Sequence, residues 1–199
     1  MEKSEDIALR RVNLGLVVAI VSINLYVFIA PFTPQIGLWR RQQQAKSTAG
    51  LPYQTKLSKS GAERAAIPDD DRLVIPKLAL NEHIYTGTAS YLVNKGVWAR
   101  PKTSTPPQGS NTVLVGHRFT YHGRATFYSL DKLARGDNIV IYWQHKEYDY
   151  QVEEIKVVPA TALEIEAPTK DAQLTLYTCT PIWSGKDRLV IMAKQIGAN

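Results

Sequence analysis

Gln173-Leu-Thr-Leu-Tyr-Thr-Cys179 alternates along its length, and that alternation decides how the chain is read. Successive side chains of an extended strand point to opposite faces, so Leu174, Leu176 and Thr178 share one face and Thr175, Tyr177 and Cys179 the other. With the leucines in a core, the chain's only cysteine stands on the face away from it. A lone cysteine is commonly a small buried hydrophobe, whereas a thiol on the outward face is open to chemistry.

Outward from this strand, other runs carry the same β-branched, aromatic and leucine-rich composition: Arg72–Ile75, Thr112–Gly116, Asn138–Trp143, Glu147–Val157 and Arg188–Gln195. Turn residues punctuate them at Pro106-Pro-Gln-Gly109, Arg135-Gly-Asp137 and Ser184-Gly185. Tyr148, Tyr150 and Val152 keep one phase, while Ile155 and Val157 are out of phase with them, which predicts a one-residue bulge at Glu153-Glu154. Short helical pieces are expected near Ala125–Leu133 and Ala160–Glu164. The sum is an all-β domain from about Ile67 to Asn199, a small and mostly antiparallel barrel or sandwich in which closure removes exposed edges.

The N-terminal third reads differently. Val12 to Ala30 holds no charged residue, has no polar face, and is long enough to span hydrocarbon. No small-x-small cleavage site follows Ala30, which favours an uncleaved signal anchor over a removed signal peptide. Arg10 and Arg11 abut the run, whereas Arg40, Arg41 and Lys46 begin about ten residues beyond it, so residues 1–11 are expected in the cytoplasm and the C-terminal domain outside the cell. Residues 31–66 read as a stalk: Pro31 and Pro34 end the helix, Trp39 can rest at the lipid interface, and the remainder is rich in Gln, Ser, Thr, Lys and Ala.

Charge follows this division. Residues 1–66 carry nine Lys/Arg against four Asp/Glu, or +5; residues 67–199 carry fifteen against fourteen, or +1. The basic balance therefore belongs to the flanks of the apolar run, which argues against a nucleic-acid-binding domain. A single cysteine excludes an intrachain disulfide. No carboxylate run resembles a calcium loop, and only His117 and His122 have spacing of the zinc-ligand kind, so neither metal nor cofactor is expected. Asp69-Asp-Asp71 reads as a solvated turn, and Arg135-Gly-Asp137 as a turn before a strand rather than an adhesion motif.

Three residues have the chemistry for acyl transfer. Cys179 is either a small structural residue or a nucleophile, which a neighbouring cation would activate as thiolate. His117, in Val115-Gly-His117-Arg118, ends an apolar strand well upstream of the cysteine; His122 competes for the same role, while His83 and His145 read as structural or solvated. Arg188 opens the last strand nine residues after the cysteine and can hold an oxyanion, with Thr178 adding a hydrogen bond beside it.

These motifs together resemble the sortases, membrane-anchored cysteine transpeptidases of the bacterial surface. Thr175-Leu-Tyr-Thr-Cys179 matches the family's T-L-x-T-C box, Asp187-Arg188-Leu-Val places an arginine on the following strand, and Val115-Gly-His117 places the histidine after an apolar strand. Leu73-Val-Ile-Pro-Lys-Leu78 resembles the family's barrel start, and the likeness covers about residues 70–196. It implies a closed eight-stranded β-barrel. It implies that Cys179 attacks the threonine carbonyl of an LPXTG-like sorting signal to give a thioester, and that His117 protonates the leaving amine and deprotonates the incoming one. It implies that Arg188 orients substrate and stabilises the oxyanion, and that an amine from a cell-wall precursor or a pilin lysine resolves the thioester. Ile67-Pro-Asp-Asp-Asp71 lacks the aspartate-proline-aromatic lid of pilus-type members, no second apolar span follows the domain, and the stretch from Val157 to Gln173 is short. The housekeeping or class D/E type is therefore expected. An L,D-transpeptidase is disfavoured because Tyr177-Thr-Cys179 departs from that family's Ser-His-Gly-Cys pattern. A non-catalytic tethered binding domain would be expected to lack one of the three residues.

Leu51-Pro-Tyr-Gln-Thr55 begins like a sorting signal with threonine one position late. It reads as an ordinary linker, or as a pseudosubstrate lying in the groove. Deleting residues 31–66 raises turnover of a peptide substrate if it is a pseudosubstrate; steady-state kinetics unchanged by the deletion leave it a linker.

Overall fold

The computed structural model describes residues 2–29, 67–121 and 124–198. The chain divides into two units, Met1–Thr48 and Ala49–Asn199. The stalk, with Trp39 and Leu51–Thr55, lies outside the described residues, as does His122.

In the first unit a single helix, α1, covers Glu2–Ile29. Its apolar side chains from Leu14 to Tyr26 are exposed. Among the described residues no helix is long and apolar enough to cross a membrane; side chains within α1 are described only for 10–11 and 13–26, so the uncharged run is seen in part.

The second unit is a barrel of eight strands: β1 Arg72–Ile75, β2 Leu80–Tyr85, β3 Val97–Ala99, β4 Asn111–Val115, β5 Asn138–Trp143, β6 Lys146–Pro159, β7 Gln173–Thr180 and β8 Asp187–Ala198. They close in the order β1-β2-β3-β4-β7-β8-β6-β5, so each of these strands has a neighbour on both sides. Two neighbouring pairs are parallel, β2–β3 and β4–β7; the others run antiparallel. Alternate residues of each strand fill the interior. Leu73, Ile75, Leu114, Ile139, Ile141, Leu174, Leu176 and Ile191 are completely buried there.

Two strands escape the sequence pattern. β3 is three residues long, too short for a period to register. β2 alternates correctly, but Glu82 occupies an inward position among buried Leu80 and Ile84. The carboxylate is tolerated because Arg124 Nη2 donates to its Oε1 at 2.7 Å. The expected bulge is present as a register shift between Val152 and Glu154, and a second shift lies at Asp149/Tyr150. The helical pieces are shorter than expected, 3₁₀ turns at Leu130–Lys132 and Leu163–Glu166.

One buried polar residue fixes the segment that crosses from β6 to β7. Asn111 Nδ2 donates to the carbonyls of Ile165 (3.0 Å) and Ala167 (2.9 Å), and its Oδ1 accepts from Thr175 Oγ1 at 2.7 Å. This explains why Thr175 is fully buried although it lies on the outward face of β7: the crossing segment covers it. Asn111→Ala strands the buried Ile165 carbonyl and removes the bonds to Ala167 and Thr175, and is expected to cost about 1–3 kcal/mol of stability by denaturant titration. Proteolysis in residues 160–172 should accelerate in the same variant.

Candidate active site

The site is built where β4, β7 and β8 run side by side. Cys179 pairs directly with Arg188 across the antiparallel β7–β8 ladder. Opposed residues in such a ladder share a face with Cβ atoms about 4.5–5.5 Å apart, so a thiol and a guanidinium stand together. On the other side, β4 and β7 pair in parallel from Asn111↔Gln173 to Val115↔Tyr177, with a constant offset in sequence. Continued by two steps, the same offset carries His117 to the position beside Cys179. The three residues singled out from sequence thus converge on one open cleft of about 310 Å³, lined also by Val93, Ala160, Leu163, Ile165, Glu166 and Tyr177.

Each group has defined support. His117 Nε2 lies 2.7 Å from Asn94 Oδ1. An amide oxygen only accepts, so Nε2 carries the proton and Nδ1 is the acceptor of the neutral ring. Burial holds the His117 imidazole below the ordinary histidine value, because a partly enclosed ring favours its uncharged form. Arg188 is fixed by donation from Nη1 to the carbonyls of Gly185 (2.9 Å) and Asp187 (3.0 Å). Gly185 has φ +59°, and a Cβ there would sit 3.8 Å from Cys179 Sγ. A side chain at Gly185 would therefore be both strained and in contact with the thiol.

Thr178 has its hydroxyl engaged within the protein. Its side chain is buried, and its hydroxyl donates to Gly116 O at 2.8 Å. Thr178 also lines the cleft next to Cys179, but strand alternation turns its hydroxyl to the other side of β7, where it ties β7 to the end of β4. His83 and His145 lie away from this cleft: His83 Nδ1 meets Asp70 Oδ2 at 3.1 Å, and His145 sits in the β5–β6 turn with φ +60°.

Sequence reading missed the polar wall of the cleft. Arg100 donates from Nε and Nη2 to the two oxygens of Glu166 (2.9 and 3.1 Å), and Tyr177 OH donates to Glu166 Oε1 at 2.6 Å. Burial first, and then the Glu166 carboxylate, push the Tyr177 hydroxyl well above the ordinary tyrosine value, so it remains a donor. The Arg100 guanidinium also lies over the Trp98 ring, 5.0 Å from its centroid. Arg100 and Glu166 are far apart in the chain, and only the outward position of Tyr177 beside Cys179 marks one end of the network in the sequence. In the loops that follow β4 and β7, Phe119 packs on Tyr121 and Trp183, and the last two are exposed. Among the described residues no cluster of three or more His, Cys, Asp or Glu could hold a metal ion.

Known proteins resemble this chain in sequence and fold. Sortase A of Listeria monocytogenes is 26% identical over 129 residues, covering 65% of this chain and 57% of its own. Sortase D of Bacillus subtilis is 25% identical over 167 residues, covering 77% and 82%. Sortase SrtE1 of Streptomyces coelicolor is 32% identical over 105 residues, covering 48% and 29%. The chain thus spans between about a third and four-fifths of these relatives. Among solved structures, that of sortase E1 from S. coelicolor with a tripeptide in its active site superposes with a TM-score of 0.58 at 26% identity, covering 69% of this chain and 93% of that one. Sortase A of L. monocytogenes, at 23% identity and a TM-score of 0.59 over 65% and 88%, shares the fold. The Sortase domain family matches residues 73–196, the whole barrel from β1 to near the end of β8, and the chain belongs to that family of cysteine transpeptidases.

Proposed function

We propose that this chain is a surface transpeptidase that cleaves an LPXTG-like sorting signal after threonine and joins the freed carbonyl to an amine. The observation that carries the reading is the juxtaposition of Cys179 and Arg188 across one ladder with His117 at the adjoining register position. The Cys179 thiol passes its proton to the neutral His117 ring, the resulting thiolate adds to the threonine carbonyl, and the oxyanion that forms is met by the Arg188 guanidinium. Two carbonyls already hold Nη1, so Nε and Nη2 are the donors that turn to substrate. As the C–N bond breaks, the imidazolium of His117 gives its proton to the departing amine, leaving a thioester on Cys179 and a neutral ring. That ring takes a proton from the incoming amine, whose nitrogen displaces the thiolate. Atoms and charge balance, and the cycle is ping-pong.

Donor and acceptor are thus an LPXTG-like protein and a cell-wall precursor amine or a pilin lysine. The class D/E or housekeeping type is favoured over a pilus polymerase by Ile67-Pro-Asp-Asp-Asp71, which lacks the aspartate-proline-aromatic lid. The apolar run of α1 supports a single-pass anchor in the cell membrane, N-terminus in the cytoplasm and barrel outside, with residues 31–66 as its stalk.

Incubation of the full chain with a fluorogenic sorting peptide should give amine-dependent ligation, with Cys179→Ala inactive and Arg188→Ala slowed at least about a hundredfold. Cleavage insensitive to amine, or to loss of Cys179, would exclude the mechanism.

His117 also predicts a pH effect on stability. Its folded value is depressed, so between that value and the ordinary histidine value the unfolded chain binds more proton, and stability rises with pH. Above the ordinary value both states are neutral and the penalty is gone; below the folded value it is fully present. The stability of wild type relative to His117→Gln should therefore fall as pH drops through this window, as read from denaturant midpoints; a pH-independent difference refutes it.

A further inference from the structure

Backbone pairing of β4 with β7 stops at Val115 and Tyr177, but the offset between the two strands continues. Thr178 Oγ1 donates to Gly116 O at 2.8 Å, and Arg118 Nη1 donates to Thr180 Oγ1 at 2.8 Å. Both links keep the spacing of the backbone ladder, and His117 and Cys179, at the same spacing, lie between them. The ladder is thus carried past its last backbone pair by side chains on the side of β7 away from the thiol.

Arg118 is an unusual group for that place. It is 8% exposed, its Nη2 pairs with Asp131 Oδ2 at 3.2 Å, and its buried Nε has no partner. A buried guanidinium with an unmet N–H is costly, and an apolar residue of similar volume would often serve stability as well. What the planar fork supplies is geometry. One nitrogen is held by Asp131 on the 3₁₀ turn Leu130–Lys132 while the other grips Thr180, and a lysine cannot reproduce both bonds.

We propose that Arg118 is a positioning residue: by gripping Thr180 it extends the β4–β7 register one step beyond the histidine and fixes the reach between the His117 imidazole and the Cys179 thiol. This rests on His117 and Cys179 acting as a pair. Among the described residues, the other charged and titratable groups around that pair include Arg188 opposite the cysteine, Asp187 beside it, Asp131 with its partner Lys132 behind Arg118, and Tyr177, Glu166 and Arg100 along the cleft.

The full chain tests it through two readouts, the pH profile of Cys179 alkylation by iodoacetamide and steady-state peptide kinetics. Thr180→Val removes the grip but keeps the side-chain shape and the Arg118 cation; Thr180→Ser restores the hydroxyl. The alkylation profile of Thr180→Val should move from that of wild type toward that of His117→Ala, and Thr180→Ser should return it. Thr180→Val and Arg118→Lys should each lower kcat about ten- to a hundredfold, the scale of a misplaced catalytic group. KM should stay within about twofold, since substrate contacts are untouched. A Thr180→Val profile that coincides with wild type, a KM rise at constant kcat, or a loss that serine does not recover overturns the proposal. If wild type and His117→Ala already share one alkylation profile, there is no pair to position, and both this proposal and the paired mechanism fall. If they differ while Thr180→Val matches wild type, the positioning role alone falls.

Discussion

The parallel pairing of β4 with β7 is the constraint on which the site depends. Strands in one sheet lie about 4.8 Å apart, so a fixed offset between two strands fixes which side chains meet. The offset found here puts the end of one apolar strand, and the histidine beyond it, against the strand that ends in cysteine. A slip of one residue would send Cys179 to the core and the Thr178 hydroxyl to the cleft. The register is held at both ends by polar contacts. Asn111 bonds Thr175 at the start, while Thr178 and Thr180 bond the residues flanking His117 at the finish.

The second ladder, β7 with β8, supplies the cation, and the crossing segment between β6 and β7 supplies the wall. That segment reaches the cleft only because Asn111 ties its carbonyls down and Glu166 is gripped by Arg100 and Tyr177. Stability and function share these bonds. The apolar interior closes the barrel, and a small set of buried or half-buried polar residues decides where its outward side chains stand.

Much of this is legible in the sequence, because alternation is a local property. Leu174, Leu176 and Thr178 fall on the inward phase and are buried, and the phase change at Glu153-Glu154 marks the bulge. Cys179, His117 and Arg188 stand out through the Thr-Leu-Tyr-Thr-Cys, Gly-His and Asp-Arg-Leu-Val motifs that resemble those of sortases, more than through alternation. What pattern reading misses is set by long-range partners. Glu82 disguises β2 as a polar stretch until Arg124 neutralises it. Thr178 lines the cleft beside the nucleophile, and alternation turns its hydroxyl toward Gly116. Glu166, Arg100 and Arg118 acquire their roles only when segments far apart in the chain are packed together.

The central claim is that Cys179 forms a covalent acyl-enzyme with a sorting signal, and intact-mass spectrometry of the full chain mixed with an LPXTG-like peptide and no added amine tests it most directly. The account predicts a mass gain equal to the acyl half of the peptide, localised to Cys179, released by hydroxylamine and absent from Cys179→Ala. Peptide cleavage without any adduct at Cys179, or an adduct at another residue, would contradict it.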